Sequence, residues 1–302
     1  MAIGTLANAD LRLLRVFMAV VRCGGYSAAQ AELNIGLATI SAHMKSLEGR
    51  LGCRLCQRGR TGFKLTDEGK IVYEEAQLLI SAIERFESLS QALEKELAGK
   101  LKLGVVDGTT SSQRTLISDT IRAFNKRKNH VLIEIHIESR QLLEKGVLDG
   151  SLDLAIGPFA TNYVGLEVVP LYEEHHALYC GVGHPLFERR DPVQYDELGE
   201  CVITTRGHAL TDDRERIGSM QVRAVVYNLE AQLALILSSG YIGYLPTQYA
   251  EPWIAEHRLR KLDVESTEYN SQHLLIHKPE NALTVQAKTF INDLLTVTGH
   301  KR

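Results

Sequence analysis

The chain has 302 residues, 44% of them apolar and 24% charged, and a formal net charge of −3. Such a length predicts two or three domains, and this balance of apolar and charged residues excludes a disordered or fibrous chain. No run of about 18 apolar residues occurs, which excludes a helical membrane span, and five scattered cysteines (Cys23, Cys53, Cys56, Cys180 and Cys201) fit a reduced cytoplasmic protein better than a disulfide scaffold.

The charge is unevenly spread. Residues 1–65 hold nine Lys and Arg against three acids, a surplus of six, so the remainder carries −9. A basic module that meets a polyanion, joined to an acidic body that does not, is the reading this supports. The first predicted element is a helix over about 10–22, with Leu11, Leu14, Phe17, Met18 and Val21 at helical spacing. Arg12 and Arg15 interrupt its apolar run, so it belongs to the fold and is not a signal peptide. Gly24-Gly25 ends it. Ser27 is placed to cap a short second helix, SAAQAELN. After a turn through Asn34-Ile35-Gly36, a third helix runs to Leu51-Gly52 and buries Ile40, Met44, Leu47 and Leu51. Its other face carries Ala38, Ala42, Lys45 and Gly49, flanked by Thr39, Ser41 and Ser46. Two helices joined by a short turn, the second free of bulky groups on its outer side, form a helix-turn-helix. Gly59 and Gly62 then supply the turn of a hairpin that exposes Arg58, Arg60 and Lys64, which is a wing.

Thr66 is placed to cap a long helix, with Asp67 and Glu68 in its first turn, reaching about Leu97. Val72, Ala76, Leu79, Ile83, Phe86 and Leu93 follow one another in steps of four and three, Ser90 completing the series. This is a coiled-coil seam with no obvious mate inside one chain, so a second copy is expected to cover it. From Lys100 the elements alternate: strand KLKLGVV, helix to about Lys128, strand HVLIEIHIE, helix 140–149, strand DLAIGPF. A second set follows: strands VVPLYEE, ALYCGV, ECVITT and MQVRAVVY, helix NLEAQLALILSSG, and strand YIGYLP. Strand SQHLLIHK and a last helix over about 283–297 return to the first set. Alternating strands and helices predict parallel pairing with helical crossovers, an α/β fold.

A small face on the third helix suits entry into the major groove, and flanking Arg and Lys suit phosphate. A plain helical domain with a solvated basic hairpin is the competing account. Against it stands a specific likeness. FMAVVRCGGYSAAQAELN followed by ISAHMKSLEGRLGCRLCQRGRTGFKLTDEG resembles the DNA-binding end of the LysR-type transcriptional regulators. Ser41, Leu47-Glu48, Leu51-Gly52, Arg58, Leu65-Thr66 and Gly69 carry the match, and His184-Pro185-Leu186 fits the family's second half. The resemblance implies a winged helix-turn-helix over 1–66, a linker and dimerisation helix over 67–97, and a two-lobed, periplasmic-binding-protein-like effector domain over 98–302. The first lobe would hold about 98–170 and 272–302, and the second about 171–271. The chain departs from the usual pattern at Gly36-Leu37-Ala38, Ala42 and Cys56, so its target DNA sequence cannot be borrowed from the family.

The expected DNA contacts are Ser27, Ala38, Thr39, Ser41, Ala42, Lys45, Arg58, Arg60 and Lys64. The expected partners are double-stranded DNA, a small-molecule effector with an anionic or strongly hydrogen-bonding end, and a second copy of the chain in a homodimer or homotetramer. The effector is expected between the lobes. Thr109, Thr110, Ser111 and Ser112 follow the first strand, where ligands gather in open α/β sheets and helix N–H groups attract anions. Ordinary helix capping explains those hydroxyls nearly as well, and the resemblance tips the balance. Thr204, Thr205, Arg206 and His208 would face them from the second lobe, with Phe159 against an apolar part of the ligand.

Other constellations read as bland. Cys53-x-x-Cys56 lacks a second pair for zinc, so packing is expected. Glu173, Glu174, His175, His176 and His184 read as a solvated strand and loop, because neighbours on a strand point to opposite faces. No catalytic motif, metal site or cofactor site is present in the sequence, so an enzyme is not expected. A solute-binding or transport-related protein is the remaining alternative, and it leaves residues 1–66 without a use.

Overall fold

In the computed structural model the described residues are 8–299, apart from 60–61, 94–96, 109–115, 190, 192, 208–212, 214, 217, 219–220 and 265–266; the side chains of 8, 9, 58, 59 and 91–93 are also outside the description. They form two compact units, one of the residues through Glu87 together with Asp149–Ser151, the other of Ser88–Leu148 and the residues from Leu152 onward.

The first unit opens with α1 (Asn8–Arg22), α2 (Ala29–Leu33) and α3 (Leu37–Leu51). Leu14, Phe17 and Met18 of α1 pack with Ile40, Met44 and Leu47 of α3 in one core, which Leu55, Cys56, Ala76 and Ile80 complete. A hydrogen bond from Arg50 Nη2 to Oδ2 of the buried Asp10 at 2.7 Å, with Arg50 Nε 2.5 Å from Oδ1 in the same ion pair, ties the end of α3 to the start of α1. Gly52 ends α3 in the left-handed conformation, φ 73°, as a chain reversal after a helix requires. The wing is β1 (Cys56–Gly59) and β2 (Gly62–Leu65), antiparallel, with Arg58 opposite Phe63 and Gln57 opposite Lys64. Cys53 and Cys56 pack on this core, as the spacing argument expected.

The long helix α4 spans Asp67–Leu93. Thr66 caps it: its hydroxyl accepts from Gly69 N at 2.9 Å and donates to Arg54 O at 2.7 Å. Gly69 is a packing requirement, since a Cβ there would lie 2.0 Å from the carbonyl oxygen of Leu55. The helix is shorter than the expected reach to Leu97, because Leu97 already belongs to a strand, β3 (Leu97–Val105). The expected seam is also corrected. Ala76 is buried in the helical core of its own unit, and Val72, Leu79 and Ile83 pack against that core. Phe86 alone of the expected residues with described side chains is exposed, at 72%; the side chain of Leu93 lies outside the described residues. Tyr73 adds an edge contact to Phe17, with ring centroids 6.1 Å apart.

The second unit holds one mixed sheet. Its path runs β4 (Asn129–Ile137), β3, β5 (Leu154–Gly157), β11 (Tyr269–His277), β6 (Glu167–Gly181), β9 (Ile242–Pro246), β7 (Val202–Arg206) and β8 (Gln221–Val226), with β10 (Leu259–Leu262) also on β6. β3 pairs in parallel with β4 and β5, and β7 in parallel with β8 and β9. These are two α/β halves. Helices α5 (Leu116–Phe124), α6 (Arg140–Asp149) and α9 (Val285–Val297) serve the first half, and α7 (Leu229–Leu237) and α8 (Thr247–Ala255) the second. Phe124, Leu103, Ile156 and Phe290 sit in the first half's core, and Leu178, Ile203, Ile242 and Tyr244 in the second's.

β6 and β11 belong to both halves. The expected strands VVPLYEE and ALYCGV are one continuous strand of 15 residues. The sequence reading divided them because Glu173 to His176 break the apolar run. α8, β10 and two short 3-10 helices at Tyr195–Glu200 and Glu280–Ala282 were not foreseen. Where α4 enters this unit, Ser88 Oγ donates to Gln286 Oε1 and accepts from Val285 N at 3.1 Å, so the end of the long helix is pinned to the start of α9.

Candidate nucleic-acid interface and ligand cleft

The second helix of the helix-turn-helix is held from both ends. Gln30 of α2 accepts from Leu37 N at 3.1 Å through its side chain, which serves the N-terminus of α3 where Gly36 has no side chain to do so. Glu48 near its other end accepts from Leu55 N at 2.8 Å and Cys56 N at 3.4 Å, fixing the path into the wing. Neither role was read from the sequence; glutamine and glutamate on a helix surface give no sign of the backbone they will serve.

Ala38, Thr39, Ala42 and Lys45 are exposed on the free side of α3, and Ser41 is half-buried at its edge. Leu37 is 42% exposed at the tip of the same face, an apolar group that the sequence reading passed over. Lys64 is exposed on the wing, Arg54 beside it. Arg58 has its backbone in β1, and Arg60 lies outside the described residues. Among the described residues no carboxylate lies within ion-pair distance of Lys45, Arg54 or Lys64, whereas Arg22, Arg50 and Lys70 nearby are each paired with an acid. Ser27 is exposed but does not cap α2. The cap position is Ala28, already helical at φ −68° and ψ −33°, so the hydroxyl of Ser27 never reaches capping geometry.

In the second unit the two halves approach at the ends of β3 and β7. Asp107 follows β3, and its carboxylate accepts from Leu229 N, the first residue of α7 in the other half. Asn228 caps the same helix through Ala231 N at 2.8 Å. Burial pushes the Asp107 carboxyl up from its usual range, opposed by the Leu229 hydrogen bond and the Arg206 charge. Gly108 lies close to Leu229, where a Cβ would meet its Cδ1 at 2.2 Å.

Arg206 ends β7 and is 9% exposed. Its charge acts on the Tyr269 side chain, and among the described residues no carboxylate stands within ion-pair distance of it. Thr205 Oγ1 donates to Asp213. Thr204 is fully buried, and among the described residues its Oγ1 has no hydrogen-bond partner, nor do Gln232 Oε1, Tyr244 OH and His176 Nδ1. Thr204 and Gln232 lie on the α7 side of the sheet and Tyr244 and His176 on the other, so these atoms fall in two places and not one.

The expectations for this cleft divide. Thr204, Thr205 and Arg206 lie on β7, all of them buried. Thr109, Thr110, Ser111, Ser112 and His208 lie outside the described residues. Phe159 requires correction: it is 6% exposed and packs with Val106, Leu274 and Ile276 in a core of the first half, because the chain turns inward after Gly157. Glu174 and His176 also require correction. They face the buried side of β6, while Glu173 and His175 face water; His184 is buried as well. Alternation was read correctly, but which set of residues was covered depended on partners distant in the chain.

A family model described as a bacterial regulatory helix-turn-helix protein of the lysR family matches residues 11–70, and one described as the LysR substrate binding domain matches residues 94–298. The chain belongs to the LysR family of transcriptional regulators. It is a DNA-binding regulator with an effector-binding domain, and not an enzyme. The HTH-type transcriptional activator BauR of Pseudomonas aeruginosa is 38% identical over 270 residues, covering 89% of this chain and 88% of that one. The SDS degradation transcriptional activation protein of a Pseudomonas species is 31% identical over 264 residues, covering 84% and 85%. Among solved structures, the LysR-type regulator CbnR complexed with its target DNA matches with a TM-score of 0.53 and 20% identity, covering 95% of this chain and 99% of that one, which is a likeness of fold. No helix among the described residues is long and apolar enough to cross a membrane.

Proposed function

We propose that this regulator reads a double-stranded DNA site with α3 and holds the flanking phosphates with its wing, as an assembly of identical chains, under the control of a small molecule in the cleft between β3 and β7. One observation carries the DNA part: the small, exposed face of α3 is bordered by Lys45, Arg54 and Lys64, cations that no acid of the described residues answers. Phosphate contacts set affinity and its salt dependence, and groups on α3 supply base readout. Ala38 and Ala42 leave room for close approach, Thr39 and Ser41 offer hydroxyls, and Leu37 suits the methyl of thymine. Ser27 just before α2, Arg58 of β1 and Arg60 complete the proposed contacts. The test is binding of the chain's own upstream DNA by fluorescence anisotropy across salt concentrations. Lys64→Ala should weaken binding to every duplex and reduce the salt slope by about one. Thr39→Ala should weaken binding chiefly to the cognate duplex. An unchanged slope for Lys64→Ala removes the wing from the backbone.

For the effector, Arg206 and the Thr204 hydroxyl are the proposed anchors, suited to an anionic or hydrogen-bonding group. For assembly, α4 offers a second apolar band beside the buried one: Ile71, Leu78, Phe86 and Leu89 are exposed. We place a second copy on this band, giving a dimer, or a tetramer through further contacts, matched to a symmetric DNA site. The place of action is the cytoplasm, where the DNA is.

A further inference from the structure

β6 and β11 carry the connection between the two halves, and the sheet narrows where they cross. β11 pairs with β5 only over Leu274–His277, and β6 pairs with β9 only from His176 onward. Between these stretches, Tyr172–His176 and Tyr269–His273 hold chiefly each other, and the register shifts between His273 and Leu274. This waist is two strands wide, and motion between the halves concentrates in such a place.

Its two faces differ. On the exposed face Glu173, His175 and Asn270 are tied in a polar network, Asn270 Nδ2 donating to Glu173 at 3.0 Å and His175 meeting Asn270 at 2.8 Å and Glu268 at 2.7 Å. On the buried face His176 Nε2 lies 3.0 Å from Glu174 Oε2, and His273 Nε2 lies 3.9 Å from the same oxygen. Tyr172 stacks on His273 at 4.8 Å, and Tyr269 stacks on His176 at 4.9 Å. β7 brings the positive charge of Arg206 to bear on both histidines. Arg216, itself paired with Asp213 at 3.8 Å, covers the Tyr269 ring, and Tyr244 of β9 meets that ring edge-on.

With Nε2 hydrogen-bonded to Glu174, a neutral His176 leaves Nδ1 as a bare acceptor, and that atom is buried with no partner among the described residues. A further proton on Nδ1 would find no acceptor here and would sit in the field of Arg206. We propose that Glu174, His176 and His273 form a proton-binding site at the waist, and that loading it with an additional proton loosens the arrangement of the two halves. The proton comes from solvent and binds an imidazole nitrogen lone pair, with no other bond made or broken. Burial first, and then the Arg206 charge, hold both imidazoles below their ordinary range, while Glu174 pulls the other way. Opening the waist to water restores the ordinary value near about 6.5. The sign follows. The loosened arrangement binds the proton more tightly, so it gains as pH falls below about 6.5 and loses nothing above it.

Arg206 is also the proposed effector anchor, so the test uses the chain without effector. The proposal is tested on the full chain by hydrogen exchange between about pH 5 and 8, reading backbone amides of 172–176 and 269–273 and the slow C2 hydrogens of the histidine rings. After correction for intrinsic rates, amide exchange at the waist should rise up to about tenfold per pH unit for each proton taken up below about 6.5. His176→Asn with His273→Asn should abolish the rise, and His175→Asn on the exposed face should preserve it. If the double variant does not fold, the ring exchange of the unaltered protein decides: midpoints for His176 and His273 clearly below about 6.5 support the site. Midpoints at or above about 6.5, or waist exchange that ignores pH, or a rise that survives the double substitution, overturn it.

Discussion

Thr204 shows what one buried hydroxyl reveals. It is fully buried on β7, and among the described residues its Oγ1 has no hydrogen-bond partner, although its backbone carbonyl accepts from Gln232 Nε2 at 3.3 Å. Keeping an unsatisfied hydroxyl costs stability, on the order of 1–3 kcal/mol, so its replacement by an isosteric apolar group is close to neutral or favourable for the fold. Thr204→Val should therefore leave the melting temperature of the effector-free chain unchanged or raise it by a few degrees in calorimetry. A clear fall would mean that the hydroxyl is satisfied and carries no sign of a ligand. Residues of this kind were legible in the sequence by type, as hydroxyls after a strand. Glu174 and His176 were not, because nothing local distinguishes a covered strand face from an open one.

Among the elements, α4 is the clearest case of a pattern that was visible and assigned to the wrong neighbour. Its spaced apolar residues are real, yet Ala76, Val72, Leu79 and Ile83 are used by the helices that precede them in the chain. A heptad pattern states that a stripe is covered, and not by what. The band at Ile71, Leu78, Phe86 and Leu89 is interrupted by Glu75 and Arg85, which hid it. Leu78→Glu should weaken self-association without unfolding the winged unit, whereas Ile83→Glu should destabilise that unit itself. Analytical ultracentrifugation at micromolar concentration together with circular dichroism separates the two effects. A Leu78→Glu chain that remains fully associated would show that this band is not the interface. The strands of the second unit were easier to find than to join. Their apolar runs stood out, but the continuity of β6 through Glu173 to His176 depends on β11, about a hundred residues away in the sequence.

At the scale of the whole chain, the division into a basic reader and an acidic α/β body was legible from charge and from the change of texture near Lys100, and the family match rests on both parts. Local signals sufficed for this because helices, caps and turns are short-range facts. The cleft was only partly legible, since it is made where strand ends meet and one of its contacts joins residues 122 positions apart: Asp107 with Leu229.

That contact makes Asp107 a counterweight. Any movement that draws α7 away from β3 must first surrender a charge-assisted hydrogen bond, worth about 1.5 kcal/mol, or roughly tenfold in population. The hydrogen bond sets where the balance starts, and anything that binds the two arrangements unequally moves it from there by its differential affinity. Asp107→Ala should shift that starting point, seen as about tenfold faster amide exchange in the first turn of α7, at Leu229–Gln232, with the rest of the helix little changed. Equal exchange in both proteins would mean that the weight hangs elsewhere.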